Sequence, residues 1–259
     1  MQLSSALGLG PKAMVAFVGA GGKKTAMRQL TLEGLRQGHR VGYTTTTKMP
    51  VPSGMTVHVG RPETIPDAIE RPVALGAERV ENPDRVDAKL DGYTPSVLCD
   101  APIRDRFDWL MVKADGARQK ELTAPAAHEP VIPGGATHVG VVASVRAVGV
   151  PVESELIHRS ERISAITGLS SDTPLTTTAI GTLLASPQGV CADIDPTMTG
   201  VPIVNKADTE ALCRRARSVV RTAIDLRDQF DWGLITSFRT GHLERVEAGG
   251  EQAGSRVGV

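Results

Sequence analysis

No excess of either charge sign marks this chain: Lys+Arg and Asp+Glu each number 29 among 259 residues. That balance gives no basis for nucleic acid or a membrane surface as a partner. Cysteine is scarce, and Cys99, Cys191 and Cys213 show no CxxC or other metal-ligand spacing. Each reads as a small core residue. No apolar run is long enough to span a bilayer, and no secretory pattern opens the sequence. The expected location is therefore a reducing cytoplasm. Hydrophobic content of 41% and charge of 22% are ordinary, and they allow a substantial buried core.

Apolar runs of strand length alternate with segments of helical character, the pattern of a parallel sheet covered by helices. Strands are expected at 13–18, 40–44, 55–59, 108–114, 137–143, 201–204 and 232–238, and helices at 24–37, 96–105, 174–186 and 208–228. A further helix-like stretch begins at His158-Arg159 and runs through Ile163, Ile166 and Leu169. Residues 60–95, rich in Pro and charge, read as an irregular excursion with short strands. The expectation is one α/β domain over 1–246, a P-loop-type three-layer fold with a mostly parallel central sheet flanked by helices. The segment 247–259 lacks apolar content and reads as a flexible tail.

The most informative stretch joins the first strand to the first long helix. Met14-Val15-Ala16-Phe17-Val18 breaks into Gly19-Ala20-Gly21-Gly22-Lys23-Lys24-Thr25. A glycine-rich turn at a helix start frees backbone amides, and with the helix dipole and a lysine these cradle phosphates. Only two residues separate Gly19 from Gly22, so the loop is shorter than the common G-x-x-x-x-G-K-[ST]. Lys23 occupies the phosphate-binding position. Lys24 stands where the Mg²⁺-binding hydroxyl is expected, and Thr25 comes one place late. A dinucleotide fingerprint needs a third glycine where Lys24 stands and an acidic residue closing the second strand. That strand runs instead into Thr44-Thr45-Thr46-Thr47-Lys48.

Two more strand ends supply candidate pieces of a nucleotide site. Trp109–Ala114 is followed by Asp115-Gly116, which offers a carboxylate to a metal ion in the manner of a Walker-B strand end; the plainer role of Asp115 is a helix cap. Val201–Val204 leads into Asn205-Lys206-Ala207-Asp208, the N-K-x-D pattern by which many G domains read guanine, although Asp208 also suits an N-cap. A hydroxyl from Thr46 or Thr47 could ligate Mg²⁺ in place of the missing loop hydroxyl. The expected metal ligands are Thr25, Thr46, Thr47 and Asp115. Nucleotide contacts are expected from Gly19 through Thr25 and from Asn205, Lys206 and Asp208. Lys23, Asp115, Arg118 and His128 are the candidates for chemistry, with Arg118 suited by its guanidinium fork to an oxyanion. His128 is suited to moving protons near neutrality.

These motifs together resemble the YqeC family, accessory proteins of selenium-dependent molybdenum hydroxylases. The resemblance rests on Phe17–Lys23, Thr44–Pro50, Ala114–Arg118, His128–Pro133, His158-Arg159 and Asn205–Asp208, in the family's order. His-Glu-Pro-Val-Ile-Pro is the most specific of them. Two departures stand out. Lys24 replaces the Thr usual in the family's loop, and Lys113 replaces the Glu usual before Ala-Asp-Gly. Both add positive charge, which favours anion binding and disfavours Mg²⁺. The resemblance implies a GTP- or ATP-dependent factor that serves a molybdenum hydroxylase or the proteins that mature its cofactor. The residues themselves leave open a nucleotide-gated binding module with little hydrolysis, and an ATP-dependent ligase or kinase acting on a small anion.

Overall fold

The computed structural model describes residues 1–249 except 68, 70 and 82–87. Nine strands form the main sheet: β1 (Ala13–Gly19), β2 (Val41–Thr45), β3 (Thr56–Val59), β4 (Val73–Gly76), β5 (Trp109–Lys113), β6 (His138–Ser144), β7 (Thr199–Asn205), β8 (Trp232–Ser237) and β9 (His242–Glu247). Their order is β9-β8-β7-β6-β1-β5-β2-β4-β3, and every pairing is parallel except that of β8 with β9. The first strand lies at the centre because it is apolar at every position and buried throughout.

Side chains alternate along β1 and divide the core in two. Ala13, Val15 and Phe17 pack with helices α1 (Leu3–Leu7) and α2 (Lys23–Arg36) on one face. Met14, Ala16 and Val18 face the opposite layer, which holds α3 (Pro95–Cys99), α4 (Ala101–Arg104), α5 (Ser160–Thr167), α6 (Thr177–Ala185) and α7 (Glu210–Leu226). This is the expected three-layer arrangement, with a mostly parallel sheet between helices. The longest helix, α7, starts on Thr209, whose side chain accepts the Leu212 amide at 3.3 Å.

Several boundaries differ from the sequence expectation. The helix expected over 96–105 is two short helices broken at Asp100, because Pro102 has no amide to continue the ladder. The helix after His158 starts at Ser160; His158 itself pairs with Thr123 in a two-stranded ribbon. Within the excursion, Val73–Gly76 is a fully buried strand of the main sheet. Glu247, the expected start of the tail, instead closes β9, while 250–259 lie outside the described residues. A three-stranded antiparallel ribbon of Lys48–Pro50, Lys89–Asp91 and Glu78–Val80 stands beside the sheet's C-terminal edge. Among the described residues, no helix is long and apolar enough to cross a membrane.

Candidate functional site

The loop after β1 is fastened on three sides. The Ala20 amide donates to Val142 O at 2.8 Å, the Gly21 amide to Lys120 O at 3.1 Å, and Asn205 Nδ2 to Gly21 O at 2.9 Å. Asn205 is itself held by Thr236, whose hydroxyl donates to its Oδ1 at 3.0 Å. Gly21 has φ +80, and a Cβ there would come within 2.5 Å of Ser144 Cβ, so only glycine fits. Helix α2 then begins with no side-chain cap. Among the described residues, the amides of Lys23, Lys24 and Thr25 have no hydrogen-bond partner and are free for an anion.

Beneath the loop lies a buried ion pair. Asp115 is 0% exposed and Lys23 6%. Asp115 Oδ2 accepts the Gly19 amide at 2.6 Å. Its Oδ1 lies 2.6 Å from Lys23 Nζ, off the angle of a hydrogen bond, so that oxygen accepts none. The Lys23 ammonium also donates to Gly19 O. Lys23 is thereby folded back onto its own loop.

Above the loop opens a cavity of about 780 Å³. Its floor is Ala20–Thr25, and its walls carry Lys48, Lys89, Lys113, Arg118, Lys120 and Lys206. Seven lysines and one arginine line it, and among the described residues no carboxylate does. Such a lining concentrates anions. Lys113 is the least ordinary of these groups. Its ammonium donates to Thr47 Oγ1 at 2.8 Å and Lys48 O at 3.0 Å. Burial, then the nearby Lys23 charge, pulls its pKa down to about 8. Three of the cavity residues, Arg118, Gln119 and Lys206, hold positive φ values of 44°, 62° and 66°. Strained backbone of this kind concentrates at functional sites.

The wall behind Gly116 is a carboxylate bracket. Glu129 Oε1 accepts the Gly116 amide at 2.9 Å, and its Oε2 sits 2.7 Å from Arg159. Burial raises the Glu129 pKa, but the Gly116 amide and Arg159 outweigh it and leave the group below its usual range. His158 is lowered by burial and by the charges of Arg159 and Arg118. Glu129 therefore fixes the Asp115-Gly116 turn.

The structure gathers Gly19–Thr25, Arg118 and Lys206 at one place and sets Asp115 directly beneath them. Asn205 touches the loop through Gly21 O without lining the cavity, and His128, Thr46, Thr47 and Asp208 lie outside that lining. His128 is exposed and away from the cavity lining. Thr46 donates its hydroxyl to Val131 O at 2.6 Å, and Thr47 accepts from Lys113. Of the four expected metal ligands only Thr25 lines the cavity. Asp208 accepts Ser237 Oγ at 2.5 Å and is flanked by Arg146 at 2.7 Å and Arg239 at 3.3 Å. Lys206 Nζ lies 2.5 Å from Glu121 Oε1. N-K-x-D is therefore engaged as a brace, and a base would reach Asp208 only by displacing three partners. Lys89 is a cavity residue that no local sequence signal marks; it arrives there because it pairs with Pro50 across the ribbon.

The sequence profile of the YqeC protein family matches residues 15–161. The chain belongs to the YqeC family. A curated relative, "Uncharacterized protein YqeC" of Escherichia coli (strain K12), is 30% identical over 196 residues, covering 74% of this chain and 75% of the relative. The matched segment contains the glycine-rich loop, Lys113, Asp115 and the Glu129 bracket, whereas Asn205 lies beyond it. Of the motifs behind the resemblance, Phe17–Lys23 supplies part of the cavity floor and Ala114–Arg118 part of a wall.

Proposed function

We propose that this YqeC-family protein binds a nucleoside triphosphate, ATP or GTP, by its phosphates in the lysine-lined cavity. The observation that carries the reading is a loop with free helix-start amides opening into a chamber lined by cations and, among the described residues, by no carboxylate. In the proposed complex the amides of Lys23, Lys24 and Thr25 receive phosphate oxygens. Lys23 leaves Asp115 and Gly19 O for the phosphates, and Arg118 clamps the terminal group from the opposite wall. Asn205 keeps the loop open by holding Gly21 O. The base is not read by Asp208, whose carboxylate is engaged elsewhere.

Mg²⁺ is the cofactor such sites usually employ, and the residues present do not fit it. Mg²⁺ takes oxygen ligands in octahedral array, commonly one or two carboxylates with waters. The nearest carboxylate, Asp115, is sealed under the loop. Among the described residues, no group of three or more His, Cys, Asp or Glu is placed to hold a metal. These features favour a nucleotide-dependent binding module over a fast phosphoryl-transfer enzyme. For the client, the family resemblance alone points to a selenium-dependent molybdenum hydroxylase or the maturation of its cofactor.

Thermal unfolding with ATP, GTP and NAD tests the reading, because a ligand that binds only the native state raises its apparent stability. ATP or GTP should raise Tm and NAD should not. A Tm unmoved by both triphosphates at millimolar concentration overturns the proposal.

A further inference from the structure

A metal ion at a phosphate loop is held by the hydroxyl that follows the loop lysine and by a carboxylate facing the phosphates. In this chain the first position is Lys24, exposed and part of the cavity lining. The second, Asp115, has no exposed surface and directs one oxygen to the Gly19 amide and the other to Lys23. Neither Thr46, which donates to Val131 O, nor Thr47, which accepts from the Lys113 ammonium, lines the cavity. Where oxygen ligands are missing, positive charge has been added, since Lys24 and Lys113 both line the cavity.

We infer that this site takes its polyphosphate as the metal-free anion, with Lys24 and Lys113 supplying the charge that a divalent cation supplies at other phosphate loops. The inference rests on the nucleotide reading above and deepens it by naming the ionic form that binds. Lys24 is the second residue of α2 and lines the same cavity as the free amides. Lys113 is 8% exposed and its charge is poorly screened there. A dication entering this chamber meets lysines on its walls and, among the described residues, no lining carboxylate; Asp115, Glu121 and Asp91 stand behind Lys23, Lys206 and Lys48 as their ion-pair partners. A bare triphosphate meets the complementary charge of the lining itself.

Calorimetric titration of the full chain with ATP, first in excess EDTA and then in saturating Mg²⁺, tests this. Binding in EDTA that is as tight as or tighter than binding with Mg²⁺ is the expected result. Binding that Mg²⁺ tightens about tenfold or more, ~1.4 kcal/mol, overturns the inference and leaves the nucleotide reading intact. Absence of binding in both buffers overturns the nucleotide reading and this inference with it. A Lys24→Thr variant supplies an independent arm, since an exposed helix position tolerates the change. It should lose about tenfold in metal-free affinity, the scale of one charge-assisted bond, and gain a Mg²⁺ response. Unchanged affinity in EDTA would count against the lysine's assigned part.

Discussion

Asp115→Asn separates the ion pair beneath the loop from the loop itself. The amide is the same size as the carboxylate and can still accept the Gly19 N–H now held at 2.6 Å. What disappears is the charge 2.6 Å from Lys23 Nζ, at a point where the two residues are 0% and 6% exposed. Removing one partner of a buried pair leaves the other uncompensated and costs about 3–5 kcal/mol. For a chain of this size that corresponds to a fall in Tm on the order of 10 °C. A second consequence follows from competition. In the parent chain a phosphate must draw Lys23 away from Asp115, whereas in the variant it meets an ammonium with only Gly19 O as partner. ATP should therefore raise Tm more in the variant than in the parent. Urea and thermal unfolding, each with and without ATP, read both effects. A variant within about 0.5 kcal/mol of the parent, the range of ordinary surface changes, would refute the buried-pair argument. Equal ATP-induced shifts would refute the competition.

Gly21→Ala should abolish triphosphate binding in equilibrium titration, because the added methyl meets Ser144 and the φ of +80 is wrong for alanine. Asp208→Asn should leave the ratio of ATP to GTP affinities within about twofold, since rim charges engaged elsewhere contribute little; a selective loss of GTP would restore the guanine role to N-K-x-D. pH dependence follows from Lys113. Its pKa of about 8 lies below the unfolded value of 10.5, so the folded chain binds fewer protons between those limits and gains relative stability as pH rises through that window. Anion affinity should fall as pH rises through about 8, where the folded chain loses this ammonium in the field of Lys23, Asp115, Glu129 and Lys24. Lys113→Met should flatten both profiles, as read by chemical denaturation and titration from pH 7 to 10.

Much of the fold is legible in the sequence because its strands are short, apolar and separated by helices. β1 is apolar at every position, so its central place follows from burial on both faces. Val73–Gly76 is hidden by the Pro- and charge-rich residues around it, and β9 by its mixed polar pattern at the sheet edge. The glycine-lysine loop after β1 is legible because glycines and a lysine at a strand end form a recognisable local pattern. The direction of a side chain at a strand end is not legible. Asn205 pairs in register with Ser144 on the neighbouring strand, which carries its amide to the loop after β1 and away from any base. Asp115 follows the same logic, since parallel pairing of β1 with β5 aligns Phe17 with Lys113 and so sets Gly19 beside the carboxylate. Lys89 depends on a ribbon partner far away in sequence, and no local pattern announces that.

The most direct measurement is a crystal structure of the full chain grown with ATP. The account predicts phosphate oxygens against the amides of Lys23, Lys24 and Thr25, with Lys23 Nζ withdrawn from Gly19 O and turned to the nucleotide. Clear nucleotide density elsewhere on the molecule, with Lys23 still folded onto its own loop, would contradict it.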